Sequence, residues 1–302
     1  MMRFRLVHRT RYVYSARVDF AQHLLHLDAR PDAGQRVDRA EISCDPAPAR
    51  QVAGSDYFGN RIAHLVLAAP HDRLELTLRA EGEILPRPVP SPETGPPWET
   101  VVAQLAANGF PTEWAASEFV HDSPLATHDP QIRGFAGPSF PPGRSVLACA
   151  RDLAGRIHRG FRYDPAATDV STPLGRVLAM RAGVCQDFAH LAIAALRGIG
   201  LAARYVSGYI ATRPAPGAVR LRGADASHAW IAVWCGADLG WVEIDPTNDC
   251  LVRDEHVVAA WGRDYSDVSP VRGVLVGGGA HRVDVAVDLE LEAAVAKMRQ
   301  HM

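Results

Sequence analysis

Three side chains stand out for the chemistry they could do together. In RAGVCQDFAHLAIAALRGIG, Phe188, Leu191, Ala192, Ala195, Leu196 and Ile199 recur at helical spacing, so Cys185 is expected at a loop-to-helix junction, with Gly198 and Gly200 closing the helix. A thiol there feels the positive end of the helix dipole, which favours the nucleophilic thiolate. Backbone N–H groups of the same first turn can cradle an oxyanion. Gly183, two residues earlier, fits a tight turn that leaves the sulfur facing a cleft. The plainer alternative is that Cys185 is a small buried hydrophobe, as most free cysteines are.

His228 opens the strand-like segment HAWIAVW, whose alternation puts Trp230, Ala232 and Trp234 on its own face; it follows the cysteine by 43 residues. Asp245 follows a further 17 residues on, where the strand WVEID ends at a proline. Two consecutive antiparallel strands place the start of one beside the end of the next. A carboxylate at that point can accept from one imidazole nitrogen and turn the other toward the sulfur, which is the nucleophile–base–orienter arrangement of covalent acyl transfer. The same residue types also allow a zinc set of Cys185, His190, His228 and Cys235. Its spacings match no paired zinc loops, and Cys185 and His190 fall on different sides of one helix, so no metal and no cofactor is expected.

The rest of the chain narrows the class. It has 302 residues, 47% of them hydrophobic and 22% charged, enough for a sizeable core in one large or two ordinary domains. A net charge of −2 without a basic block argues against nucleic acid as a partner. No apolar run approaches a membrane span, and the N-terminus lacks the apolar stretch of a secretory signal, so no membrane partner is expected. The five cysteines, Cys44, Cys149, Cys185, Cys235 and Cys250, form no disulfide framework and no CxxC, which points to free thiols and a cytoplasmic location.

Period-2 patterning dominates residues 1–85: Phe4, Leu6, His8, Thr10, Tyr12 and Tyr14 share one face, Leu74, Leu76 and Leu78 another, and Gly59-Asn60 marks a turn. An antiparallel β-rich N-terminal domain is expected there. Six prolines between Pro86 and Pro97 then mark an extended connector, and residues 86–143 also hold two short helices, the first ending at Asn108-Gly109. Residues 144–302 form the expected core: one amphipathic helix over Ser145–His158, the helix from Cys185, then strands to the C-terminus. Helices first and strands afterwards indicate an α+β fold with helices on an antiparallel sheet.

GVCQDFAHLAIAALRGIGLAARYVSGY, SHAWIAVW and WVEIDPTN resemble the three motifs of the bacterial transglutaminase-like superfamily. HRTRYVYSARVDFAQHLLHLDARP with YFGNR, HDSPLATHDPQI and DYSDVSPVRGVLVGGGAH are also similar to it, so the likeness covers nearly the whole chain. The resemblance implies a papain-like, transglutaminase-like core, with Cys185 as nucleophile, His228 as general base and then acid, and Asp245 as orienter. It also implies an oxyanion hole that includes the Cys185 backbone N–H. Tyr163, 22 residues before the cysteine in FRYDP, is a candidate second donor, or else packs on the core with its hydroxyl in solvent.

Further site-lining candidates are Gln186 and Asp187 after the nucleophile, Trp230 as a wall, and Asn248 as a cap of the DPTN turn; Asp187 also suits a first helical turn. His190 reads as a satisfied helix histidine, and Ser207 and Tyr209 either line the cleft or follow from strand alternation. The expected activity is thiol-dependent attack on an amide carbonyl through a thioester, with a peptide or protein substrate and water as acceptor. An amine acceptor would make the enzyme a protein-glutamine transglutaminase, and a silent protein-binding scaffold is the alternative of another class. Loops 164–173 and 213–226 are expected near the cleft, the second carrying Arg213, Arg220 and Arg222.

Overall fold

The computed structural model describes residues 1–87, 89–107, 111–211 and 226–293, excepting the side chains of residues 111, 113 and 226. The Asn108-Gly109 stop and the arginine-bearing segment 213–222 lie outside the described residues. Five strands come first: β1 (Met2–Leu25), β2 (Gln35–Asp45), β3 (Arg50–Ser55), β4 (Arg61–Leu67) and β5 (His71–Ile84). Their alternation buries one face, with Phe4, Leu6, Leu74, Leu76 and Leu78 all at 1% exposure or less.

After the proline-rich connector come α1 (Trp98–Ala107), α2 (Pro111–Ser117), α3 (Pro130–Ala136) and α4 (Val146–Gly160). Ser145 caps α4, its Oγ accepting from the Ala148 N–H at 3.1 Å. A two-residue strand β6 (Arg162–Tyr163), α5 (Leu174–Met180), a two-residue strand β7 (Ala182–Gly183) and α6 (Cys185–Gly198) follow. The chain then turns to strands: β8 (Ala203–Ile210), β9 (Ala226–Trp234), β10 (Trp241–Asp245), β11 (Cys250–Leu251) and β12 (His256–Gly262), then α7 (Tyr265–Val268), β13 (Val271–Gly277) and β14 (His281–Ala293). No helix among the described residues is long and apolar enough to cross a membrane.

Two sheets result. The core sheet has the order β11-β10-β9-β8-β12, and all its pairings are antiparallel. Its Ala229, Ile231 and Val233 pack with the helices, and α6 runs through the middle of that layer. The periodicity of α6 predicts one apolar stripe, whereas every residue from Asp187 to Arg197 is buried. Arg197 tolerates this because its guanidinium donates to four partners: the carbonyls of Phe119, Ala203 and Arg263 and the Ser123 hydroxyl, at 2.7–3.2 Å.

The N-terminal sheet has the order β2-β5-β1-β4-β3, and β13 and β14 also pair with β1. Residues 144–302, expected as the core, supply strands to both sheets: Met2–Tyr14 pair with Ala293–His281, so the last strands complete the first sheet. Alternation marks β13 and β14 as strands but carries nothing about which open edge they join. The N-terminal sheet buries Tyr209, Val257 and Ala259 of the core sheet, so the two sheets share a packed interface.

Candidate active site

Local rules build the cysteine end. The Val184 N–H donates to Asp187 Oδ2 at 2.8 Å, so a buried carboxylate in the first turn starts α6 and faces the positive end of its dipole. Thr168 Oγ donates to the same oxygen at 2.6 Å and fastens loop 164–173 to the helix start. Gly183 serves close approach rather than a turn: a Cβ on it would lie 2.6 Å from Asp187 Oδ2.

Strand β7 pairs in parallel with β6, with Tyr163 opposite Gly183, and this brings the Tyr163 phenol to the Cys185 sulfur. Burial, then the charges of Cys185 and Asp187 and a hydrogen bond with Cys185, raise the phenol's pKa. Cys185 and its neighbour Gln186 are half-buried, and Tyr163 is 54% exposed, so the thiol end of the site opens to solvent.

The histidine end comes from the strands β9 and β10. Ile231 sits opposite Ile244, which places His228 and Asp245 on one face at adjoining strand ends. His228 Nε2 lies 2.8 Å from Asp245 Oδ2, and the Cys185 sulfur is a further hydrogen-bonding and charge partner of the ring. Gly208 lies opposite His228 on β8, where a Cβ would fall 2.5 Å from the Trp230 ring.

Asp245 is fully buried and held from five directions. Oδ1 accepts the backbone N–H groups of Thr247 and Asn248 at 2.8 and 3.1 Å, and Oδ2 meets Asn248 Nδ2, His228 Nε2 and His256 Nε2 at 2.7, 2.8 and 3.2 Å. Asp245 therefore caps the DPTN turn itself, and the Asn248 side chain, expected as that cap, returns to the carboxylate. Burial by itself would raise the Asp245 pKa, but the hydrogen bonds from both histidines and Asn248, with the charge of His228, hold it far below the usual carboxylate range. Burial would likewise lower the His228 pKa, yet the hydrogen bonds and charges of Asp245 and Cys185 outweigh it and raise the imidazole to about 10.

The sequence reading missed His256. It opens β12 in HVVAAWG, an apolar strand shortly after the third motif, much as His228 opens HAWIAVW. That likeness was the available signal. Its pairing is not sequential, since β12 reaches the sheet by pairing with β8. Trp230 is fully buried between the two histidines, 6.0 Å from the His228 ring and edge-on to His256 at 5.1 Å, and its indole N–H donates to Glu243.

The remaining candidates lie elsewhere. His190 Nε2 accepts the Tyr265 N–H at 3.1 Å, and burial lowers its pKa to about 4. Tyr209 donates to the Leu27 carbonyl at 2.8 Å, so it belongs to the interface between the sheets. Ser207 sits within β8 between Ala229 and Ala260. Cys235 is fully buried with its sulfur 3.6 Å from the Val233 carbonyl, and the four residues weighed as a zinc set form no cluster. His228, Asp245 and His256 are the only group among the described residues with metal-ligand atoms gathered, within 4.8 Å of one another. Here those atoms hydrogen-bond to each other.

Residues 4–83 match the bacterial transglutaminase-like N-terminal region, and residues 142–246 match the transglutaminase-like superfamily. An uncharacterized protein of Mycobacterium tuberculosis is 41% identical over 294 residues, covering 95% of this chain and 92% of its own. One of Mycobacterium leprae is 31% identical over 290 residues, covering 96% and 99%. The crystal structure of "a Putative Cysteine Protease" from Cytophaga hutchinsonii superposes with a TM-score of 0.75 at 18% identity, over 97% of this chain and 92% of that one, a likeness of fold. A β-rich N-terminal region, a core of helices on an antiparallel sheet and these matches together establish that the chain belongs to the transglutaminase-like superfamily, in its bacterial form with the N-terminal region.

Proposed function

We propose that the protein is a thiol-dependent acyl-transfer enzyme that hydrolyses amide bonds of a peptide or protein through a Cys185–His228–Asp245 triad. The observation that carries this reading is one imidazole with two partners: a buried carboxylate on His228 Nε2 and the Cys185 sulfur hydrogen-bonded to the same ring. The thiol proton already rests on His228, whose pKa is raised to about 10, and as the sulfur attacks the carbonyl carbon the carbonyl π electrons move to oxygen. The Cys185 N–H and the Tyr163 hydroxyl donate to that oxyanion. Collapse of the intermediate breaks the C–N bond, and His228 passes its proton to the leaving amine. Water then loses a proton to His228 and attacks the thioester, and the C–S bond breaks to release the acid, the sulfur keeping the bonding pair and His228 keeping the proton. Asp245 stays ionised throughout and keeps the ring oriented.

Water as the acceptor is supported by the openness of the thiol end, where Tyr163 is 54% exposed. A cross-linking enzyme must keep water from its thioester. Intact-mass spectrometry of peptide and glutamine donors, with and without excess primary amine, tests the reading. Hydrolysed product alone, lost in Cys185→Ala, is the expected result. An amine adduct would make the enzyme a transglutaminase. No turnover and no adduct at Cys185, with thiol alkylation indifferent to His228→Ala, would leave a binding scaffold.

A further inference from the structure

A second cleft, of about 510 Å³, opens where the core sheet meets residues 30, 32–34, 86, 87, 89 and 90 of the N-terminal half. Trp241, Glu243 and Trp261 form its core-side wall, and Arg30, Arg87 and Arg204 line it. Trp241 lies four residues before Asp245 on β10, about 13 Å along an extended strand, and none of Cys185, His228 and Asp245 lines the cleft.

Its arginines are unusual in what they lack. The Arg204 guanidinium lies 4.4 Å from the Trp241 ring centre and 3.9 Å from that of Trp261. It makes no hydrogen bond or ion pair with any described residue, and its Nε is shielded from solvent. Burial lowers its pKa to about 10, which still leaves it charged at neutral pH. Arg87 spends Nη1 on Glu243 Oε2 at 2.9 Å, while its Nε and Nη2 are buried without an acceptor. Glu243 is already engaged with Arg87 and the Trp230 indole. A buried guanidinium gains most from a planar anion that takes two N–H groups at once.

The surroundings select among anions. Asp32 and Glu243 also line the cleft, and their charges oppose a phosphate dianion more than a carboxylate. Leu239, Val242 and Val252 beside the tryptophan rings give an apolar bed for the rest of the molecule.

We propose that this cleft binds a monocarboxylate bearing an aromatic or branched apolar group, with its carboxylate on Arg204, Arg87 as second donor, and its apolar part against Trp241. The proposal holds whatever acceptor the thiol chemistry uses.

The test is calorimetry and tryptophan fluorescence on the full chain with 3-phenylpropionate, its amide 3-phenylpropanamide, and inorganic phosphate. Saturable binding of the carboxylate is expected, with the amide and phosphate at least about tenfold weaker. Arg204→Gln should weaken binding about tenfold or more, and Cys185→Ala should leave it unchanged. Should Arg204→Gln fail to fold, Arg87→Gln carries the test, with a loss of about threefold or more expected. No saturable binding to the intact chain, equal binding of amide and carboxylate, preference for phosphate, or loss of binding in Cys185→Ala would each overturn the proposal.

Discussion

Asp245 shows how much a single carboxylate is asked to do. Its two oxygens meet two backbone N–H groups, one amide and two imidazoles, so it is fixed in place before any substrate arrives. Asp245→Asn can accept fewer of those donors and presents an N–H to His228, which favours the wrong tautomer. Turnover should fall by about 10⁴ while the fold survives, as read by initial rates and circular dichroism. Near-full activity would remove Asp245 from the orienting role.

The same pair makes stability depend on pH with a definite sign. The His228 pKa is raised from 6.5 to about 10, so its contribution is complete below pH 6.5 and is lost as pH rises through 10. Asp245 is depressed, so its contribution is present above about 3.8 and is lost on acidification. Urea unfolding should therefore show stability declining from pH 6.5 to 10, and the decline should flatten in His228→Gln.

At the scale of elements, the start of α6 is where sequence rules and tertiary packing agree. The acidic residue in the first turn and the apolar periodicity follow from local physics. Gly183 answers to packing instead, because β6, β7 and the Asp187 carboxylate converge there. Gly183→Ala should push Asp187 off the Val184 N–H, cost about 1–3 kcal/mol in chemical denaturation, and slow alkylation of Cys185 by iodoacetamide. Unchanged stability and alkylation would mean that the helix start adjusts freely.

For the whole molecule, the decisive feature is how the N-terminal sheet closes over the core. Strand β12 is an edge of the core sheet, and two buried amides from the N-terminal half satisfy it. Gln35 bonds both the Val258 N–H and its carbonyl, at 2.8 and 2.7 Å, and Asn60 bonds the Trp261 N–H and carbonyl at 3.0 and 2.9 Å. Asn60 is the asparagine of YFGNR, which gives that segment a physical purpose. Asn60→Ala should cost about 3 kcal/mol, seen as a lowered Tm, and should separate the unfolding of the two sheets. A Tm within a degree of the parent would show that Gln35 holds the interface without it.

What could be read along the chain was what close neighbours decide. The helix from Ser145, the run of α6, the alternation of β1 and β5, and the meeting of His228 with Asp245 all depend on residues in one element or in consecutive strands. His256 beside Asp245, the last strands pairing with β1, and Arg204 against Trp241 and Trp261 depend instead on which open edge or face a distant segment finds. Periodicity states that a segment has an apolar side; it holds no information about which of several such sides it will meet, because that choice is made by packing and by the backbone groups still unpaired when the chain closes.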